Sequence, residues 1–167
     1  MTAEELKRLL NLAPLPVEGG YFAEAYRSPE VLPPAALPSR YSGDRNFGTA
    51  IYFLLTPDTF SAMHRLKSDE IYHFYLGDPV TMLILHPGGK SEVVTLGQDI
   101  EAGQRVQFLV PRQSWQGSRI QPGGVFALMG TTMAPGFDLA DFELGDRQTL
   151  LAAYPGRRRL IERLTSP

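Results

Sequence analysis

Between residues 49 and 133 the chain repeats one pattern: a short run rich in Val, Ile, Thr, Tyr and Phe, then a turn. The runs are TAIYFLL (49–55), EIYHFYL (70–76), VTMLILH (80–86), SEVVTL (91–96), RVQFLV (105–110), WQGSRI (115–120) and VFALMGTTM (125–133). Between them stand Thr56-Pro57-Asp58, Gly77-Asp78-Pro79, Pro87-Gly88-Gly89, Gly97-Gln98-Asp99, Pro111-Arg112-Gln113 and Gln121-Pro122-Gly123-Gly124. Such residues preset or tolerate turn dihedrals and break longer elements. Short strands at a spacing of about ten residues predict an antiparallel sandwich or barrel. No interval has room for the helix that a parallel crossover requires, so a parallel α/β sheet is not expected.

The ends read differently. Residues 2–11 predict a short amphipathic helix, with Thr2 as N-cap, Glu5 completing a capping box and Leu6, Leu9 and Leu10 on one face. The segment 28–46, SPEVLPPAALPSRYSGDRN, predicts a long loop, a candidate flap or partner contact. The tail DFELGDRQTLLAAYPGRRRLIERL predicts two short helices divided at Tyr154-Pro155-Gly156. No internal repeat or low-complexity segment is visible, and residues 1–167 read as one domain.

Charge and residue usage narrow the function classes. A formal net charge of −2 gives no general attraction to nucleic acid or anionic membrane, so neither is expected as a partner. The one basic run, Arg157-Arg158-Arg159, reads as the solvated end of a helix. Without cysteine there are no disulfides, thiolate nucleophiles or Cys-ligated metals. The N-terminus is charged and helical, unlike a secretion signal, and no apolar run approaches the ~20 residues of a membrane span. A cytoplasmic protein is the expectation. Phosphate-loop spacing, a dinucleotide fingerprint in strand–turn–helix context and a Gly-x-Ser-x-Gly elbow are all missing.

Two of the three histidines flank a glutamate in SAMHRLKSDEIYHFYLG (61–77). In a strand over 70–76, Glu70, Tyr72 and Phe74 share one face and Ile71, His73 and Tyr75 the other. Glu70 and His73 therefore point apart, and His64 lies in the preceding strand or turn. His64 and Glu70 are the candidate catalytic pair. An inward imidazole can take a proton from a carbon beside a carbonyl, and a neighbouring carboxyl can orient it or hydrogen-bond a substrate hydroxyl. The same residue types also suit a satisfied polar pocket or, for Glu70, a salt bridge to Arg65 or Lys67. His73 suits a structural role toward the other layer or a subunit interface.

This stretch resembles the first motif of the cupins: His64 matches its first His, Glu70 its Glu and Gly77 its Gly, while Leu66 stands at the second His. In the second motif Pro111 matches and Gln116 stands at the His. The stretches 16–28, 49–55, 64–80, 110–117 and 134–147 together resemble the small cupin family that is similar to dTDP-4-dehydrorhamnose 3,5-epimerases. The resemblance implies a mainly β fold, a double-stranded β-helix or jelly roll with short N- and C-terminal helices, usually in a homodimer. It implies one cupin domain over 1–167 and leaves the activity open.

The resemblance further implies His64 as base. It places EGGYFAEAY (18–26) at the mouth of the barrel, with Gly19 where the epimerases carry a phosphate-holding arginine. Tyr21, Phe22, Glu24, Tyr72, Trp115 and Gln116 are the ligand-binding candidates, Gln116 sharing an inward face with Ser118. Tyr72 and Trp115 equally suit core packing, and the aromatics of 18–26 a subunit interface. With two usual metal ligands replaced, no cofactor is expected; a divalent metal, if bound, would use His64, Glu70 and Gln116. The expected function is binding of a small carbohydrate-like or carbonyl metabolite, with metal-free proton transfer of the epimerase or isomerase kind. A metal-dependent dioxygenase or isomerase and a non-catalytic binding module are the alternatives.

Overall fold

The computed structural model describes residues 1–166. Helix α1 (Ala3–Leu9) is followed by β1 (Ala13–Pro14), β2 (Tyr21–Arg27), β3 (Val31–Leu32), β4 (Arg45–Asn46), β5 (Thr49–Leu55), β6 (Ser61–Arg65) and β7 (Glu70–Gly77). Then come β8 (Val80–Leu85), β9 (Ser91–Leu96), β10 (Gln107–Val110), β11 (Trp115–Ile120), β12 (Ala127–Met133) and β13 (Glu143–Leu144). Helices α2 (Arg147–Ala153) and α3 (Arg158–Arg163) close the chain, with a 3-10 turn over Pro155–Arg157 between them. The capping box forms as expected: the Thr2 hydroxyl accepts from the Glu5 N–H and the Glu5 carboxylate from the Thr2 N–H.

Two sheets face each other, ordered β1-β2-β5-β12-β7-β10 and β13-β6-β11-β8-β9, with antiparallel pairing throughout. From β5 to β8 each successive strand changes sheet, which winds the chain into the expected jelly roll. The change between β7 and β8 is made at Gly77, at φ +104°, where a Cβ would lie 2.3 Å from the Phe126 carbonyl oxygen.

Period-two alternation explains the layers. Along β7, Glu70, Tyr72 and Phe74 are buried between the sheets, while Ile71 and Tyr75 are exposed. Strand β8 is apolar on both faces because both are covered. Val80, Met82 and Ile84 join the inner core with Phe53, Phe74 and Met129. Leu83 and Leu85 point outward and pack against Leu150, Ile161 and Leu164 of the tail. On the other sheet Leu54 and Leu128 are covered by Leu6 of α1. Each such Leu or Ile removed from water contributes about 1.5–3 kcal/mol before entropy is counted.

Three expectations need correction. The segment 28–46 is not a free loop: β3 and β4 pair, and Arg45 is buried against Asp141, donating from Nε to Oδ2 at 2.7 Å. Strand β12 begins at Ala127 rather than 125, because the N–H groups of Val125 and Phe126 are taken by Asp78 Oδ2. Strand β10 is shorter than its sequence run: Val106 lies outside it, though its carbonyl still accepts from the Phe74 N–H.

Candidate functional site

His64 and Glu70 come together inside one end of the barrel. His64 stands on β6 directly opposite Gln116 on β11, so both side chains point inward from the five-stranded sheet. Glu70 points inward from the facing sheet. The Gln116 amide nitrogen donates to Glu70 Oε2 at 2.6 Å and ties the two sheets across the interior. His64 is 2% exposed and Glu70 7%. Around them lies a cavity of about 70 Å³, also lined by Glu18, Phe22, Leu66, Phe137 and Phe142.

The His64 ring is fixed on two sides. Its Nδ1 lies 2.7 Å from the Ala62 carbonyl, which only accepts, so Nδ1 carries the proton and donates. Phe142 stacks on the ring at 5.2 Å between centroids and 18° between planes. Nε2 is left with its lone pair toward the cavity, 4.0 Å from Glu18 Oε2. No hydrogen bond reaches it among the described residues. The other Glu18 oxygen accepts from the Ser61 hydroxyl at 2.7 Å.

Glu18 is delivered by a strained turn. Val17 has φ +70°, a conformation costly for a β-branched residue, and Gly19 follows at φ +98°. A Cβ on Gly19 would lie 2.4 Å from the Phe60 carbonyl oxygen, so only glycine fits.

Burial holds the Glu70 carboxyl above the usual carboxylate range, because the ionised form loses water without gaining a neighbouring Lys or Arg. The charge His64 carries once it has accepted a proton, and hydrogen bonds from Thr131 and Gln116, oppose that shift, and the Glu18 charge adds to it. The phenol of Tyr72 is pushed well above its ordinary value by burial.

The other sequence candidates divide. Phe22 lines the cavity, and Glu24 lies at its rim, ion-paired with Arg27 at 2.8 Å. Gln116 acts behind the cavity wall, through Glu70. Tyr21, Tyr72 and Trp115 are not in the lining. Tyr21 alternates with Phe22 and packs on the α1 side, with Lys7 Nζ 3.7 Å from its ring centre. Tyr72 belongs to the inner core. Trp115 faces outward from β11, opposite in parity to Gln116, and packs under the tail with Arg65 over its ring. His73 points away from Glu70, as alternation requires, with Nε2 2.9 Å from the Thr132 hydroxyl. Phe137 and Phe142 were not singled out from the sequence. Their segment, 134–147, carried only resemblance.

The donor set fits a metal poorly. His64, Glu70 and Gln116 supply one imidazole, one carboxylate and an amide whose nitrogen is turned to Glu70. Leu66 puts a hydrocarbon wall where the cupin motif places a further ligand. Among the described residues no three His, Asp or Glu side chains converge with metal-binding geometry. No helix among them is long and apolar enough to cross a membrane.

Comparison with known proteins accords with this architecture. The model of the family described as Cupin superfamily (DUF985) matches residues 4–145. Uncharacterized protein YML079W of Saccharomyces cerevisiae is 30% identical over 132 residues, 74% of this chain; the match spans 66% of the yeast protein's own length. Protein SO0799 from Shewanella oneidensis has TM-score 0.86 at 36% identity, covering 100% of this chain and 99% of its own. A hypothetical protein from Leishmania major has TM-score 0.89 at 30% identity, covering 100% of both chains. Oxalate decarboxylase of Bacillus subtilis shares the fold, with TM-score 0.52 at 14% identity over 92% of this chain and 37% of the enzyme. The chain is a member of the cupin superfamily, in the family DUF985.

Proposed function

We propose that this cupin binds a small carbonyl-bearing metabolite in the His64–Glu70 cavity and moves a proton on it, as an isomerase or epimerase does, without a metal. The observation that supports this most is the contact of His64 Nδ1 with the Ala62 carbonyl at 2.7 Å, which commits Nδ1–H there and leaves Nε2 toward the cavity as a base. A C–H bond beside a carbonyl breaks, its electron pair passes into the carbonyl, and Nε2 takes the proton. Glu70, which keeps its proton to higher pH than an ordinary carboxyl, returns one to the substrate oxygen or carbon. A cavity of about 70 Å³ takes a few heavy atoms, far below the ~300–1,000 Å³ of drug-sized sites, so the substrate is compact and not a nucleotide sugar.

The test is exchange of carbon-bound hydrogen in D₂O, followed by proton NMR, with glyceraldehyde, dihydroxyacetone and glycolaldehyde, with and without EDTA. Exchange that survives EDTA and is lost in His64→Asn is expected, by roughly 100-fold or more for one acid–base group. No exchange with any of the three, or exchange that EDTA abolishes, overturns the reading.

A further inference from the structure

Resting on the reading of this cavity as a ligand site, we propose that its ligand carries a protonated amine. It is a compact organic cation whose N–H groups meet Glu18 Oε2, beside His64, and whose carbon skeleton packs on Phe22 and Phe137.

The polar inventory of the cavity points this way. Glu18 Oε2 accepts only, and His64 Nε2 accepts because Nδ1 holds the proton. His64 is 2% exposed, and its Nε2 has no hydrogen-bond partner among the described residues: an unpartnered acceptor on a buried side chain, bordering the space. These two acceptors lie 4.0 Å apart, so an ammonium hydrogen-bonded to Glu18 Oε2 sits beside the Nε2 lone pair and leaves it free for the proton transfer. Glu70 adds a further carboxyl to the wall.

No Lys or Arg lines the cavity. The nearby cations are spent elsewhere. Arg27 binds Glu24, Asn46 Oδ1 and the Phe137 carbonyl, and Arg45 binds Asp141. Buried carboxyl groups without a cation are unfavourable, and the upward shift of Glu70 is one sign of it. A ligand ammonium supplies the missing charge and can face aromatic rings, which favour cations. A carboxylate or phosphate ligand would meet the Glu18 charge and no cationic side chain in the lining.

Three probes of matched shape decide the matter: propylamine, propanol and propionate, each titrated into the full chain at pH 7.5 and followed by calorimetry and saturation-transfer NMR. Propylamine is expected to bind at least about tenfold tighter than propionate, the difference one charge-assisted hydrogen bond makes. Glu18→Gln keeps an oxygen for the Ser61 hydroxyl and is expected to lose a similar factor for propylamine alone. Propionate binding as tightly as propylamine, no propylamine binding, or unchanged propylamine affinity in Glu18→Gln overturns the inference. The wild-type selectivity stands without the variant. If neutral carbonyl compounds still exchange while propylamine does not bind, the amine inference fails and the proton-transfer reading stands. If neither occurs, both fail.

Discussion

His64 and His86 each sit near a glutamate, and by distance alone His86 is the better placed. Its Nε2 lies 2.7 Å from Glu92 Oε1 and its Nδ1 3.1 Å from the Ser114 hydroxyl, the composition of a hydrolytic triad. Yet both ring nitrogens are spent there, in the tautomer opposite to that of a triad. The Ser114 side chain is buried, so no substrate carbonyl can approach it, and the His86–Glu92 pair lies at the surface. His64 has weaker neighbours and one unused nitrogen facing an enclosed space. Proximity to a carboxylate is common in folded chains. In the proposed reading, an unfilled acceptor held against a cavity is the feature that would carry chemistry.

The contrast can be broken most forcefully at the roof of the His64 site. Phe142, which stacks on His64, follows Asp141, and Asp141 is held by Arg45 in a pair whose side chains are 3% and 1% exposed. Asp141→Ala leaves Arg45 buried without its carboxylate, although Gly43 and Asp44 carbonyls still accept from it. A loss of about 3–5 kcal/mol in denaturant unfolding is expected. Hydrogen exchange of the amides in 138–142 should rise with it. A loss below 1 kcal/mol would show that the roof is held by packing alone.

Glu70 sharpens the contrast through pH. Its folded pKa is raised from an unfolded value near 4.5. The native state therefore holds the proton more tightly than the unfolded chain. The stabilisation is fully present below the unfolded value and is lost as pH rises through the folded one. His64, Glu18, Gln116, Thr131 and Tyr72 are the groups that face it. Glu70→Gln mimics the protonated form and still accepts from Gln116. The melting temperature of the variant should fall less than that of wild type between pH 5 and pH 8, the gap opening upward in pH. Parallel curves would show that Glu70 is ionised at no cost in the native state.

Much of the barrel was legible because a half-buried strand must alternate and a turn must supply its dihedrals. Strands β5, β9 and β11 match their sequence runs, and β8 lacks one residue. Strand β6 was harder, since Ser61, Ala62 and Met63 carry no β signal, and pairing with β11 and β13 makes it a strand. Within the site, the pair His64 and Glu70 was readable from residue type and from the resemblance. As aromatics Tyr21 and Trp115 suit a ligand wall, although alternation allows only one of Tyr21 and Phe22, and one of Trp115 and Gln116, to face inward. Phe137 and Phe142 carried no signal of this kind: they lie more than 70 positions after His64 and reach it only because β13 pairs beside β6.

The smallest effect belongs to His86. Replacing it with Ala removes an exposed pair with Glu92, worth about 0–1 kcal/mol, and leaves the buried Ser114 hydroxyl short of one partner, worth roughly 1 kcal/mol more at most. The anchor between β8 and the tail is untouched, because the Tyr154 hydroxyl donates to the backbone carbonyl of His86, which any residue supplies. Unfolding should shift by about 1 kcal/mol, and carbon-bound exchange in D₂O should match wild type. Loss of exchange comparable to that of His64→Asn would reverse the comparison. The surface triad would then carry the chemistry, and the buried imidazole would be a structural group that happens to border a void.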